Sequence, residues 1–275
     1  MKFVYENSSL HNTEFVFIGV PDQSGSHSSR PGAKKGPDAI RKVAAQRCQF
    51  IRKGTITLAQ VSSGVIDKKI HDLGNISKKN LAQTLQKLQN KIPIIVGGDH
   101  SITTEALGTF QDIAVVYFDA HPDMISSSHE YYGSVLMDVK KSLHSSVLIG
   151  VREPEIEEIQ NLKKKKLEFI TPLDFYEHSL PWVWKHIAKK TKGKKVYISI
   201  DLDVFDPSFA PGVSTPVPGG LDLTQVLYLV KRIMKERKVV GIDVMELTPK
   251  YDQDQQTAHL ATKLILEMIA NTPKR

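Results

Sequence analysis

Three short segments concentrate side chains with metal-ligand chemistry: Gly97-Gly98-Asp99-His100-Ser101, Asp119-Ala120-His121-Pro122-Asp123 and Asp201-Leu202-Asp203. In an extended chain alternate side chains fall on one side, so Asp119, His121 and Asp123 can converge, as can Asp201 and Asp203. Four carboxylates gathered without compensation repel one another and raise their own pKa values. Two divalent cations neutralise four ionised aspartates, and His100 with His121 completes an oxygen and nitrogen donor set suited to Mn2+, Fe2+ or Co2+. Charge balance therefore favours two metals over one. Taken singly, each motif is weak. An isolated D-x-D is common, a lone His after a strand is more often a hydrogen-bonded turn residue, and GGDHS alone reads equally as a glycine turn in which Asp99 caps a helix beginning near Ile102. The coincidence of three segments with complementary ligand types outweighs those readings.

The elements around these segments explain how they could meet. Apolar, β-branched runs recur at Phe15 to Val20, Ile92 to Val96, Ile113 to Phe118, Val147 to Val151, Val196 to Ile200 and Val239 to Val244, and they read as strands buried on both faces. Helical patterns separate them: Pro37 to Ile51, Ser77 to Gln89, Pro154 to Lys165, Trp182 to Lys190, Leu223 to Arg237 and Gln255 to Ile269. Weaker runs at Thr55 to Val61 and Leu167 to Thr171 add possible strands. Alternating strand and helix implies an α/β fold with a parallel sheet and helices on both of its faces. Ligands of such sheets bind beyond the carboxyl ends of the strands. All three segments stand at that place, and Asp243 with Glu246 stands in a fourth, VVGIDVMEL.

Composition limits the function classes. The 275 residues show no repeat, linker or low-complexity stretch, so a single domain over 1–275 is expected. The net charge of +7 comes largely from lysine runs such as Lys163 to Lys166, without interleaved aromatics, which reads as a solvated surface rather than a nucleic-acid site. Cys48 is the only cysteine, which excludes an intrachain disulfide and a cysteine-built zinc site. No export signal or membrane-spanning run is expected, and a cytoplasmic location fits best.

The segments GGDHS, DAHPD, SIDLDVFDPSFAPGVSTPVPGGL and GIDVMELTP, with PGAKKGPDAIR before them, resemble the successive signatures of the ureohydrolase family. That family holds arginases, agmatinases, guanidino-acid hydrolases and formimidoylglutamases, and the likeness is nearest to agmatinase. It runs from about Gly19 to Glu246 in the right order. The resemblance implies a three-layer αβα domain around a mainly parallel, eight-stranded sheet. It also implies that His100, Asp119, Asp123 and Asp201 hold one metal and His121, Asp119, Asp201 and Asp203 the other, with Asp99 supporting His100 or a helix N-terminus. Mn2+ is the expected ion, with Ni2+, Co2+ or Fe2+ as alternatives.

The implied reaction is attack of a metal-bound hydroxide on a guanidino carbon, cleaving a carbon–nitrogen bond and releasing urea and an amine. Asp203 would orient the nucleophile. Glu246 would pair with the planar guanidinium, supported by Thr215. Most of the family carries a proton-shuttling His after the DAHPD segment, and here Tyr132 stands in its place, with His129 three residues earlier as the other proton donor. The loop from Asp123 to Ser128 does not match the arginine-binding loop of arginases, so agmatine, yielding putrescine for polyamine synthesis, is the first expectation and arginine or another guanidino or formimidoyl acid the second. A metal-binding homologue with little catalysis and a mononuclear zinc deacetylase of similar fold are the competing classes. A homotrimer or homohexamer is implied as well, with no nucleic-acid or membrane partner.

Overall fold

Strands that are apolar on both faces demand cover on both faces, and the computed structural model supplies it. It describes residues 1–46, 51–52, 55–57, 65–66, 68–126, 130–139 and 143–273. The strands are β1 (Phe15–Val20), β2 (Ile51–Arg52), β3 (Thr55–Thr57), β4 (Val65–Ile66), β5 (Ile70–Asn75), β6 (Ile92–Gly97), β7 (Ile113–Phe118), β8 (Val147–Ile149), β9 (Glu168–Ile170), β10 (Lys195–Asp201) and β11 (Lys238–Met245). Eight of them form one sheet in the order β5-β1-β6-β11-β10-β7-β8-β9, and every pairing in it is parallel. The expected α/β architecture is therefore present, with a sheet that is wholly parallel among the described residues.

The helices are α1 (Gly36–Gln46), α2 (Lys78–Lys87), α3 (Ile102–Thr109), α4 (Val135–Asp138), α5 (Ile156–Lys165), α6 (Pro172–Glu177), α7 (Leu180–Lys190), α8 (Leu223–Glu236) and α9 (Gln256–Ala270). Phe15 and Phe17 of β1 share one buried cluster with Ile40 of α1, Val183 of α7, Val230 of α8 and Leu264 of α9, whereas Val16, Ile18 and Val20 belong to a second cluster with Leu81 of α2, Ile102 of α3 and Leu162 of α5. The period-two alternation of a strand thus assigns successive residues to opposite layers. Burial of this apolar surface on both faces is the main force holding the layers together.

The structure departs from the sequence reading at the periphery. The first helix ends at Gln46, and Ile51, expected to close it, lies in β2, which pairs with β3 in a small antiparallel sheet completed by β4. The run Thr55 to Val61 contributes Thr55–Thr57 to that small sheet, and its remainder lies outside the described residues. Strand β5 escaped notice because IHDLGN is half buried: it is an edge strand whose side chains alternate between core and solvent. The weak run Leu167 to Thr171 is β9, at the other edge.

Register aligns the chemistry. Phe118 pairs with Ile200, Asp201 with Met245, and Val244 with Val96, so the carboxyl ends of β6, β11, β10 and β7 lie level and side by side. The four polar segments emerge from these four neighbouring strands at one edge of the sheet.

Candidate metal centre

The turn after β6 is fixed by backbone contact. A side chain at Gly98 would collide with the Asp22 carbonyl, which itself accepts the Asp99 amide at 3.0 Å, so only glycine passes here. Asp99 then accepts from the Ser101 amide at 3.0 Å, the Ser101 hydroxyl and the Gly25 amide at 2.9 Å, and Ser101 is the residue before α3. Of its two expected roles, Asp99 takes the one at the helix start; it makes no hydrogen bond to the His100 ring. That ring is held from elsewhere. His100 Nε2 lies 2.9 Å from the Ser199 hydroxyl, its ring stacks on Tyr117 with centroids 4.8 Å apart, and its amide donates to Glu246 Oε1 at 2.9 Å.

With the ring so placed, His100 Nδ1 faces three carboxylates: Asp119 at 3.0 Å, Asp201 at 3.2 Å and Asp123 at 3.3 Å. His121 Nδ1 lies 3.1 Å from Asp203 and 3.5 Å from Asp119. The expected cluster therefore assembles, but not by simple alternation along extended strands. β7 ends at Phe118, and Asp123 sits in the loop beyond it with a φ of 51°. Asp201 closes β10, and Asp203 follows in a 3-10 turn whose amide donates to Asp201 Oδ1 at 2.8 Å. Asp203 is further fixed by the Ala120 amide at 3.1 Å and the Thr215 hydroxyl at 3.1 Å. Thr215 thus supports Asp203, not Glu246 as expected.

The electrostatics are those of a site built for cations. Burial pushes the carboxyls of Asp201 and Asp123 well above their ordinary range, with Asp203 and Asp119 adding repulsion at Asp201, and Asp119 alone adding it at Asp123. Burial also opposes a charge on Asp119, yet His100 and His121 hold it down at about 2. The two imidazoles are raised in turn: burial disfavours their protonation, and the surrounding aspartates override it. Asp119 Oδ2, fully buried, has the His100 ring as its partner, at 3.0 Å. A buried carboxylate oxygen is expensive unless a cation meets it. Two donor groups, His100 with Asp119 and Asp201, and His121 with Asp119 and Asp203, each have ligand atoms within 4.8 Å of one another and could hold a metal ion. Asp119 belongs to both.

Residues 13–270 match the arginase family. The chain belongs to that family. It is 33% identical to the proclavaminate amidinohydrolase of Streptomyces clavuligerus over 93% of this chain and 87% of that protein. It is 31% identical to an agmatinase of Neisseria meningitidis serogroup C over 94% and 87%. The solved agmatine ureohydrolase of Thermoplasma volcanium superposes with a TM-score of 0.84, at 29% identity, over 98% of this chain and 93% of that one. This arginase-family protein is accordingly a hydrolase of carbon–nitrogen bonds other than peptide bonds, in linear amidines. Family membership removes the deacetylase alternative.

A cavity of about 250 Å³ opens over the cluster, lined by His100, His121, Asp123, Asp201, Asp203, Thr215, Ile125, Tyr131, Tyr132, Gly133, Glu153, Glu155 and Glu158. A larger cavity of about 780 Å³ lies at the opposite, amino-terminal edge of the sheet, where its charged lining is Lys91, Lys195, Arg237 and Lys238. Basic side chains suit neither a metal ion nor a guanidinium, so the smaller cavity is the candidate site.

Tyr132 lines this cavity, with its hydroxyl pKa pushed up chiefly by burial and then by Tyr131. His129 lies outside the described residues. Glu246 is fully buried at the end of β11, not among the lining residues; its φ is 67° and its Oε2 has no hydrogen bond. Burial pushes its carboxyl up to about 8.

Several contributors were not legible as site residues. Arg152 donates to the carbonyls of Asp203 at 2.7 Å and Val217 at 2.6 Å, tying the loop after β8 to those after β10. Glu158 accepts from the amides of Met124 at 3.0 Å and Glu155 at 2.9 Å, so it anchors the loop after Asp123 to the start of α5. Tyr117, whose hydroxyl donates to Asp123, hid within an apolar run.

Proposed function

We propose that this hydrolase acts on agmatine, releasing urea and putrescine, with two divalent cations, Mn2+ first, held by the six residues His100, Asp119, His121, Asp123, Asp201 and Asp203. When bound, the cations neutralise the clustered carboxylates and supply Lewis acidity that lowers the pKa of water toward neutrality. The chain's own residues do the rest. Asp203, oriented by the Ala120 amide and Thr215, presents a carboxylate toward the cavity as hydrogen-bond acceptor for the attacking water. Glu246, outside the cavity lining, with one oxygen committed to the His100 amide and the Ser214 hydroxyl beside it, is the carboxyl assigned to a guanidinium N–H that reaches past that lining.

The observation that carries the choice of substrate is the charge of the cavity wall. Beyond the cluster it is lined by Glu153, Glu155 and Glu158, and no Lys or Arg stands among the described lining residues. Agmatine ends in a guanidinium at one end and an ammonium at the other; arginine and guanidinobutyrate add a carboxylate that such a wall repels. Glu155 and Glu158 are tied into the capping box of α5, whereas Glu153 is two-thirds exposed and lies 3.7 Å from His121 Nε2. Glu153 is therefore the carboxylate most free to meet an incoming ammonium group. The same reading carries a homotrimer or homohexamer in the cytoplasm.

Urea release by Mn2+-loaded protein should be measured on agmatine, arginine and guanidinobutyrate, and formamide release on formimidoylglutamate. Agmatine is expected to give the highest kcat/KM. In Glu153→Gln its KM should rise about fivefold at low salt, the size of one partly exposed ionic contact. A preference for any of the carboxylate-bearing substrates overturns the assignment.

A further inference from the structure

We propose that the cavity at the amino-terminal edge of the sheet is a second binding site, for a nucleoside phosphate, with Lys195 and Lys238 holding the phosphate and Phe110 the ring. The four neighbouring strands that carry the polar segments at their carboxyl ends all enter here: β6 just after Lys91, β7 at Ile113, β10 at Lys195 and β11 at Lys238. Lys195 and Lys238 are register partners, and both are exposed. Paired residues of neighbouring strands stand about 5 Å apart and point to one face, so two ammonium-bearing side chains leave adjacent backbones together. Like charges so placed repel one another and weaken the pairing. An anion bound between them turns that repulsion into charge-assisted hydrogen bonds.

The surroundings leave these two charges to a ligand. Asp112, just before β7, and Glu236, at the end of α8, are carboxylates flanking the strand starts, and Lys194 engages the first at 2.6 Å and Arg232 the second at 2.7 Å. Neither Lys195 nor Lys238 forms an ion pair among the described residues. Arg237 gives its guanidinium to the Thr191 hydroxyl at 2.9 Å and to the carbonyls of Ala188 at 2.9 Å and Glu236 at 2.8 Å, and Lys91 donates to the His11 carbonyl at 3.1 Å. Those two cations therefore serve the chain's own acceptors, as cations do where helices end. No Asp or Glu stands among the described lining residues. The rest of the wall suits a ring-bearing body. Phe110, half-buried and packed on Tyr197 with centroids 5.3 Å apart, lies with apolar Leu88, Met234 and Val240, and Gln86 and Gln111 bring amides. The volume of about 780 Å³ is that of a small-molecule site, and inorganic phosphate alone would leave its apolar wall unused.

This site is independent of the substrate assignment and is tested without turnover. Calorimetry at low salt measures binding of ADP, pyrophosphate and adenosine to the full chain, dialysed free of unbound metal. The variants are Lys195→Gln, Lys238→Gln, Phe110→Ala and, as a control outside the cavity, Lys164→Gln on α5. ADP should bind once per chain and about tenfold or more tighter than either adenosine or pyrophosphate. Each cavity lysine variant should weaken ADP by about tenfold, Phe110→Ala should do the same with pyrophosphate unchanged, and Lys164→Gln should change it by less than about twofold. Affinity should be equal in metal-free and Mn2+-loaded protein, because the cavity lies at the opposite edge from the cluster. Thermal unfolding checks the fold: without ADP the two lysine variants should melt at or above the parent's midpoint, a repulsion having been removed, and ADP should raise the parent's midpoint more than theirs. Three results each overturn the proposal: no saturable ADP binding below about 1 mM, pyrophosphate or adenosine binding as tightly as ADP, or equal ADP affinity in the parent and both folded lysine variants.

Discussion

The two histidines of the cluster occupy unlike halves of it. The side chain of His100 is 1% exposed and is held by Ser199 and Tyr117, with its backbone amide on Glu246; that of His121 is 25% exposed, on the cavity side, and faces the carboxylates of Asp119, Asp203 and Glu153. Both face Asp119. The buried half is therefore part of the fold's interior, where each polar atom must find a partner, while the open half is where substrate and solvent arrive. A single cluster can thus be rigid on one side and adaptable on the other.

The sharpest way to break this comparison is to delete each imidazole in metal-free protein. His100→Ala removes the group facing three buried carboxylates, and is expected to lower unfolding free energy by about 3 kcal/mol, as breaking a buried ion pair does. His121→Ala, at a partly exposed site, should lower it by about 1 kcal/mol or less. Urea unfolding with chelator present measures both. Equal losses would show that the two halves are mechanically alike, and the distinction drawn from burial would have to go.

A second prediction concerns pH. Burial raises Glu246 from an ordinary 4.5 to about 8 and moves Asp123 and Asp201 in the same direction. Between those values the folded chain keeps a proton that the unfolded chain has released, so metal-free stability falls as pH rises through this window. His100 adds to the trend: the stability from its raised pKa is complete below its ordinary 6.5 and is lost as pH rises through the folded value. Asp119 acts oppositely, but only as pH falls toward about 2. Cations bind the deprotonated forms, so loading should flatten or reverse the slope. Thermal unfolding midpoints are expected to drop by several degrees from pH 5 to pH 8 with chelator and not with Mn2+. A flat profile in chelator would mean the carboxylates are ionised without metal.

The halves also differ in how far sequence revealed them. The ligand segments were legible because ligand type is local: D-x-H-x-D and D-x-D announce themselves wherever the chain takes them. The supports of the buried half were not, because Tyr117 within IAVVYF, Ser199 within VYISI and Asp243 within GIDV look like isolated polar residues in apolar strands. Their physical signal is that a polar group buried in a parallel strand must have a partner across the sheet, and only register supplies it: Ser199 opposite Asp243, with His100 above. The middle of the sheet was read almost whole from its apolar runs. Its edges β5 and β9 were missed or faint, since half-exposed strands lose the continuous apolar pattern. Thr215 was assigned to the wrong carboxylate because neither sequence spacing nor motif tells which of two acids a loop hydroxyl will reach.

The smallest expected effect sharpens the open half. Tyr132 forms part of the cavity wall, packs edge-on against Tyr131 with centroids 4.9 Å apart, and has its amide tied to the Gly25 carbonyl at 3.1 Å. Its hydroxyl is raised further above its ordinary 10 by burial, with Tyr131 and Glu246 adding repulsion, so it is a weak acid facing a leaving amine. General acids work best with a pKa near the operating pH, and effective ones contribute 10²-fold or more. A tyrosine this far from that optimum should contribute much less, and Tyr132→Phe is expected to lower kcat on agmatine by about tenfold or less, with KM little changed. The loss should be largest at high pH, where solvent protons are scarce. A fall of about a hundredfold or more would make Tyr132 the principal proton donor and place a rigid catalytic group in the half of the site read here as adaptable. A kcat equal to the parent's at every pH would leave the leaving amine to be protonated from water or another side chain, and the open half with no acid of its own.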